Sequence, residues 1–155
     1  MQLPSSISAF KQFSDRYNKS EISKPANQTE IYKLELEFDI YLPYDFKLFA
    51  TTVGNIWTPH ILNIIVDNEI EMEDVQQFWK INEIINYKNK GWLKPALMDL
   101  LPFASDCGGN VFAFLTSDLE TENKTASVYF WDYDFESLEK ISSSFSEWIE
   151  KFTKM

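Results

Sequence analysis

One histidine and one cysteine bound the nucleophilic chemistry open to this chain. His60 stands beside Pro59 in "IWTPHILNIIV" and Cys107 lies in "SDCGGN", and neither belongs to a motif pairing a nucleophile with a base. His60 therefore reads as an ordinary surface or strand-end residue, and Cys107 as a small, inert thiol. A lone cysteine also excludes an internal disulfide and a cysteine-built zinc site. What is left is carboxylate chemistry. Asp106, Asp132 and Asp134 come together if the apolar runs beside them pair as strands, and clustered carboxylates can hold Mg²⁺ or Ca²⁺ or act as an acid and a base. No calcium-loop spacing surrounds them, and carboxylates at strand ends ordinarily cap turns or face solvent. Gly108-Gly109 would suit a phosphate cradle if it opened a helix. Asn110 leads instead into "VFAFLT", so the pair reads as a turn needing positive φ. The expectation is no catalytic residue, no cofactor and no metal.

The elements that would position these residues follow from the spacing of apolar side chains. Ile7, Phe10, Phe13 and Tyr17 recur at helical steps, predicting a first helix over 4–18. In "TEIYKLELEFDI" two periods compete. Ile31, Leu34, Phe38 and Tyr41 follow a helix with Thr29 as its cap, whereas Leu34, Leu36, Phe38 and Ile40 alternate as a strand would. Pro43 suits the first turn of a third helix, with Phe46, Phe49 and Val53 along one side and Gly54 as its stop. Residues 56–66 are rich in β-formers but broken by Pro59, predicting an edge strand or irregular pair. Val75, Phe78, Trp79, Asn82 and Ile85 predict a long helix from Glu73 to the "YKNKG" cluster. Strands over about 111–116 and 126–133 come next, joined by "SDLETENKT". Ile141, Phe145, Trp148, Ile149 and Phe152 then predict a closing helix.

Alternation along the two strands puts Val128 and Phe130 on one face, with Tyr129, Trp131 and Tyr133 on the other; Val111, Ala113 and Leu115 likewise oppose Phe112 and Phe114. Neither strand has a polar face. Either both sides of the sheet are covered, or one is an open aromatic surface with acidic edges. Consecutive strands with short links favour antiparallel pairing. The fold class expected is α+β: one domain over 1–155, with N-terminal helices and a closing helix packed against a mainly antiparallel sheet.

Composition narrows the partners. The chain has 155 residues, with 24 acidic against 14 basic ones and a formal charge of −10, so nothing in it would neutralise a row of phosphates. Nucleic acid is therefore excluded as a direct partner, whereas a basic protein would be attracted at long range. Aromatic residues make up 16%, and Tyr and Trp bring large area with a polar handle to a binding surface. "MQLPSSISAF" has no basic n-region or apolar core, and no apolar run approaches bilayer length, so a cytoplasmic address and no membrane partner are expected. The expected oligomeric state is a monomer or weak dimer.

Four segments, in order, resemble the SUKH superfamily, the group of Smi/Knr-type proteins. "LPYDFKLFATTVGN" is similar to that family's Leu-Pro, Tyr, Lys, Phe, Gly segment, and "LLPFASDCGGNVFAF" to its Pro-Phe and Asp-x-Gly-Gly-Asn segment. "VYFWDYD" is similar to its acidic aromatic strand end, and "ISSSFSEWIEKF" to its closing helix. The resemblance spans about residues 29–152 and implies a helix before Leu42-Pro43, which decides 29–40 as helix. Family members often carry His then Glu after the Trp-Asp, where this chain has Tyr133 and Asp134, so a role for a titrating imidazole there does not carry over.

By resemblance, bacterial members are immunity proteins that bind a cognate toxin, often a nuclease, and fungal relatives are scaffolds in cell-wall regulation. The function expected is therefore non-enzymatic binding of a toxin protein of basic charge. The alternative is a regulatory scaffold or small-ligand-binding module of the same fold. The contact residues expected are Asp106, Trp131, Asp132, Tyr133 and Asp134, with aromatics anchoring and carboxylates pairing with Lys or Arg.

Overall fold

A computed structural model describes residues 4–17, 23–58, 62–89 and 99–154. Three helices come first: α1 (Ser5–Tyr17), α2 (Gln28–Phe38) and α3 (Tyr44–Thr52). They are followed by β1 (Ile56–Trp57), α4 (Leu62–Asp67), β2 (Gln77–Phe78) and α5 (Ile81–Asn89). Strands β3 (Leu100–Ser105), β4 (Val111–Leu115), β5 (Val128–Asp132) and β6 (Ser137–Ser142) then lead into α6 (Phe145–Thr153). The six strands form one sheet in chain order, each antiparallel to its neighbour. This is the α+β arrangement expected.

The competition in "LELEF" is won by the helix. The side chain of Asn27, not Thr29, caps α2: its Oδ1 accepts from Glu30 N–H at 2.8 Å while Glu30 Oε1 accepts from Asn27 N–H at 3.2 Å. Asp39 ends the helix in the left-handed region at φ 52°. Burial follows the helical period. Ile31 and Leu34 are buried, while Leu36, which a strand would have placed beside Leu34, is 64% exposed.

Between Gln76 and Trp79 the structure departs from the predicted long helix. Gln76 N–H donates to Ser105 and Trp79 N–H to Phe103, while Gln76 accepts from Thr58 N–H at 2.7 Å. The segment thus fills the slot between β1 and β3, and these pairings override the helical spacing of Val75 and Phe78. Helix α5 begins only at Ile81. Residues 62–67 are also helical rather than extended, while Pro59 and His60 lie outside the described residues, as does the Lys90–Gly91 end of the "YKNKG" cluster.

Two strands have no counterpart in the expected elements. Strand β3 contains Pro102, which cannot donate to a ladder. The strand tolerates it because β2 pairs only with Ala104 and Ser105, and the register shifts between Pro102 and Ala104. Strand β6 takes Ile141 out of the predicted closing helix. Ser144 caps α6, its Oγ accepting from Glu147 N–H at 3.1 Å.

The main core lies between one face of the sheet and helices α1, α3 and α6. Phe46, Phe103, Phe114 and Phe145 pack there with centroids 4.7–5.9 Å apart. Trp148 of α6 meets Phe78, Phe103 and Phe112 of the sheet. The opposite face carries a smaller cluster of Leu100, Val111, Ala113 and Trp131, with Trp79, Leu115 and Tyr133 against it. Both faces of the central strands are therefore buried, and the open aromatic surface is not present over their middle.

Candidate functional site

The turn Asp106–Asn110 connects β3 to β4. Asp106 Oδ1 accepts from Gly108 N–H at 2.9 Å and Asn110 N–H at 2.8 Å, and Oδ2 accepts from Asn110 Nδ2 at 3.2 Å. Gly109 takes φ 86°, a conformation that strains any residue with a Cβ. Asp106 is thus committed to holding its own turn, the part carboxylates commonly play at strand ends. The turn after β5 is built the same way. Asp132 Oδ1 accepts from Asp134 N–H at 2.9 Å and Phe135 N–H at 3.1 Å, and Glu136 turns the chain at φ 47°.

These two turns are neighbours. Asn110 Oδ1 accepts from the backbone N–H of Tyr133 at 3.0 Å, fastening the first turn to the end of β5. Asp106, Asp132, Tyr133 and Asp134 therefore share one end of the sheet, as expected. Trp131 sits deeper. Its ring meets Tyr133 edge-on at 6.2 Å, it is 8% exposed, and its Nε1 has no hydrogen-bond partner among the described residues. It forms the floor under this end of the sheet, while Phe135, which sequence reasoning passed over, is 82% exposed at the tip. The signal for Phe135 was its place one residue beyond the acidic aromatic run, where no strand alternation requires it to turn inward.

Carboxylates crowd this end. Asp74 approaches Cys107, whose Sγ donates to Asp74 Oδ1 at 3.7 Å. Burial pushes the Cys107 thiol up, helped by the negative charges of Asp74 and Asp106, so it remains protonated where an activated cysteine would ionise. Among the described residues, no three His, Cys, Asp or Glu side chains are arranged to hold a metal ion. The acids here are a field and a set of acceptors.

Beside the first turn lies a cleft of about 430 Å³ between α5 and the ends of β2 and β3. Trp79 and Tyr87 line it with ring centroids 5.3 Å apart. The indole N–H of Trp79 donates to Ser105 Oγ at 3.1 Å, and the hydroxyls of Tyr87 and Tyr133 are hydrogen-bonded to each other. Burial pushes the Tyr87 phenol up. A second groove, of about 880 Å³, lies between the first turns of α3 and α6 and the 122–125 loop. The N–H groups of Tyr44, Asp45, Phe46, Phe145, Ser146 and Glu147 at these helix starts are already paired within the protein.

Comparison with protein families matches residues 25–151 to the SMI1 / KNR4 family (SUKH-1). The chain belongs to that family. The SUKH-1 match runs from just before α2 into α6, so the whole sheet and both acidic turns lie within it and α1 lies outside. No curated protein matches the chain. Among the described residues, no helix is long and apolar enough to cross a membrane.

Proposed function

We propose that this SUKH-1 chain acts as one unit over residues 1–155, a cytoplasmic, non-enzymatic immunity protein that binds and neutralises a cognate toxin. Its contact surface is the sheet end built by the 106–110 and 132–136 turns, with Asp134 and Phe135 outermost and Asp106, Trp131, Asp132 and Tyr133 beneath and beside them. Family membership supports a role of the immunity or cell-wall-regulator type. The observation that carries the choice of surface is Phe135, 82% exposed on an acidic turn beside a second acidic turn. The ring projects from a turn whose backbone hydrogen bonds are already formed, and the carboxylates beside it suit a basic partner. The formal charge of −10 would speed that encounter and make it sensitive to salt; a nuclease is the toxin class whose basic surface fits best.

The test uses the toxin-like protein encoded beside this gene. Purified together, the two form a complex, and co-expression protects cells from that toxin. Phe135→Ala with Asp134→Lys weakens the complex by about 100-fold or more while leaving the fold intact. Neither binding nor protection with the neighbouring protein would sink the immunity reading, and full affinity in the double variant would sink this surface.

A further inference from the structure

The cleft beside the 106–110 turn has a chemistry of its own. Its two rings have their polar edges engaged inside the protein, Trp79 Nε1 with Ser105 and the Tyr87 hydroxyl with Tyr133. What Trp79 offers a visitor is ring surface, tilted at 50° to the ring of Tyr87 beside it. The same hydrogen bonds hold both rings in place, so the rings themselves lose little freedom when the cleft fills. Glu83, exposed on the first turn of α5, adds a carboxylate to the rim, and it forms no ion pair among the described residues. Gln77 and Asn86 add neutral amides, whose oxygens can accept, and no Lys or Arg lines the cleft among the described residues. Gly109 leaves its mouth open, since a Cβ there would meet nothing within 4 Å.

Aromatic faces, an unpaired carboxylate and neutral acceptors select for a cation carrying hydrogen-bond donors. We propose that this cleft accepts an arginine or lysine side chain projecting from the protein partner, a proposal resting on the binding function above. About 430 Å³ is room for such a side chain and a few waters. An anion is disfavoured by Glu83, and an apolar side chain would leave the carboxylate and amides unmatched. The position suits the role, because Gly109 and Ser105 belong to the corner that also carries Asp106, so one partner would cover turns and cleft together.

The test needs no partner. The isotope-labelled full chain is titrated with N-acetyl-arginine methylamide and, separately, with its uncharged analogue built on citrulline, while the indole N–H resonances are followed. The Trp79 indole, assigned through Trp79→Phe, shifts saturably with the arginine compound, with Kd in the millimolar range expected for one side chain. The citrulline compound binds at least about 5-fold more weakly, and Glu83→Gln weakens arginine about 3- to 5-fold at unchanged thermal stability. A Trp79 indole that does not respond, equal responses to the two compounds, or indifference to Glu83→Gln would each overturn the proposal. A chain that binds its toxin yet ignores the amide refutes the cleft alone. A chain whose cleft takes arginine but which captures no toxin refutes the immunity reading alone.

Discussion

Asn110 Oδ1 accepts a hydrogen bond from the backbone N–H of Tyr133 at 3.0 Å, across 23 positions of sequence. The same side chain donates to Asp106 Oδ2 at 3.2 Å, so one amide fastens two turns. Asn110→Ala leaves the Tyr133 N–H without its acceptor and frees one side of the Asp106 carboxylate. It should destabilise the protein by about 2 kcal/mol, a fall in Tm of roughly 4–8 °C in thermal unfolding. An unchanged Tm would show that the turns are held otherwise.

Two glycines with positive φ should respond differently to a methyl group. At Gly54 (φ 72°) a Cβ would stand 2.4 Å from Lys24 O and 2.9 Å from Ala50 O, both backbone atoms, where residues 24 and 55 pair. At Gly109 (φ 86°) it would meet nothing. Gly109→Ala should cost about 1 kcal/mol, the backbone strain alone, whereas Gly54→Ala should cost on the order of 3–4 kcal/mol. Chemical denaturation of the two variants measures the gap directly.

Cys107 supplies a pH prediction. Its thiol is raised above the ordinary value of 9.0 by burial first and then by Asp74 and Asp106. Because the thiolate is the reactive form, the alkylation rate should rise with pH through a midpoint above that of a free cysteine peptide. Asp74→Asn removes a negative charge and should bring the midpoint down. The stability link has the matching sign: a raised thiol pKa contributes fully below the unfolded value and is lost as pH climbs through the folded one. A midpoint at or below the peptide's would contradict this environment.

Asp45 joins the first turns of α3 and α6. Its Oδ2 accepts from Ser146 Oγ at 2.8 Å and Ser146 N–H at 3.2 Å, and its Oδ1 accepts from Phe46 N–H at 2.8 Å. Asp45→Ala should cost about 2 kcal/mol, and Ser146→Ala about 1 kcal/mol, since the backbone bond survives the latter. The double variant should cost less than the sum by about 1 kcal/mol, and strict additivity in urea denaturation would deny the coupling.

Much of this fold could be read from residue types, and the gaps have definite causes. Helices α1, α3 and α6 and strands β4 and β5 bury a single clear pattern, so local spacing was enough. Helix α2 needed the family resemblance, because Leu34 and Phe38 fit two periods at once and the exposure of Leu36 is what separates them. Strand β2 was read as helix because Val75 and Phe78 are both buried at helical spacing, while the bonds that extend the chain there come from Phe103 and Ser105, remote in sequence. Strand β6 was missed because its first four residues are exposed and show no alternation, as suits a polar edge. Asp106, Asp132, Tyr133 and Asp134 were brought together by a legible pairing of β4 with β5. The Trp79–Tyr87 cleft depends on where β2 and α5 dock, which no local pattern encodes.

The order of the sheet bears on how the chain reaches this state. Among the described residues no strand pairs with any but its nearest sequence neighbours, so from β3 to β6 the sheet can zip up from one strand to the next without closing a long loop. The packing of α1 on α6 is different in kind: Ser5 Oγ donates to Glu150 Oε1, and Arg16 to the Thr153 carbonyl, bridging 145 and 137 positions. Contacts of such sequence separation carry a large loop-closure penalty and should form after the meander. Weakening the α1–α6 seam should therefore leave the folding rate almost unchanged and speed unfolding, making that seam the clasp that sets the lifetime of the folded molecule.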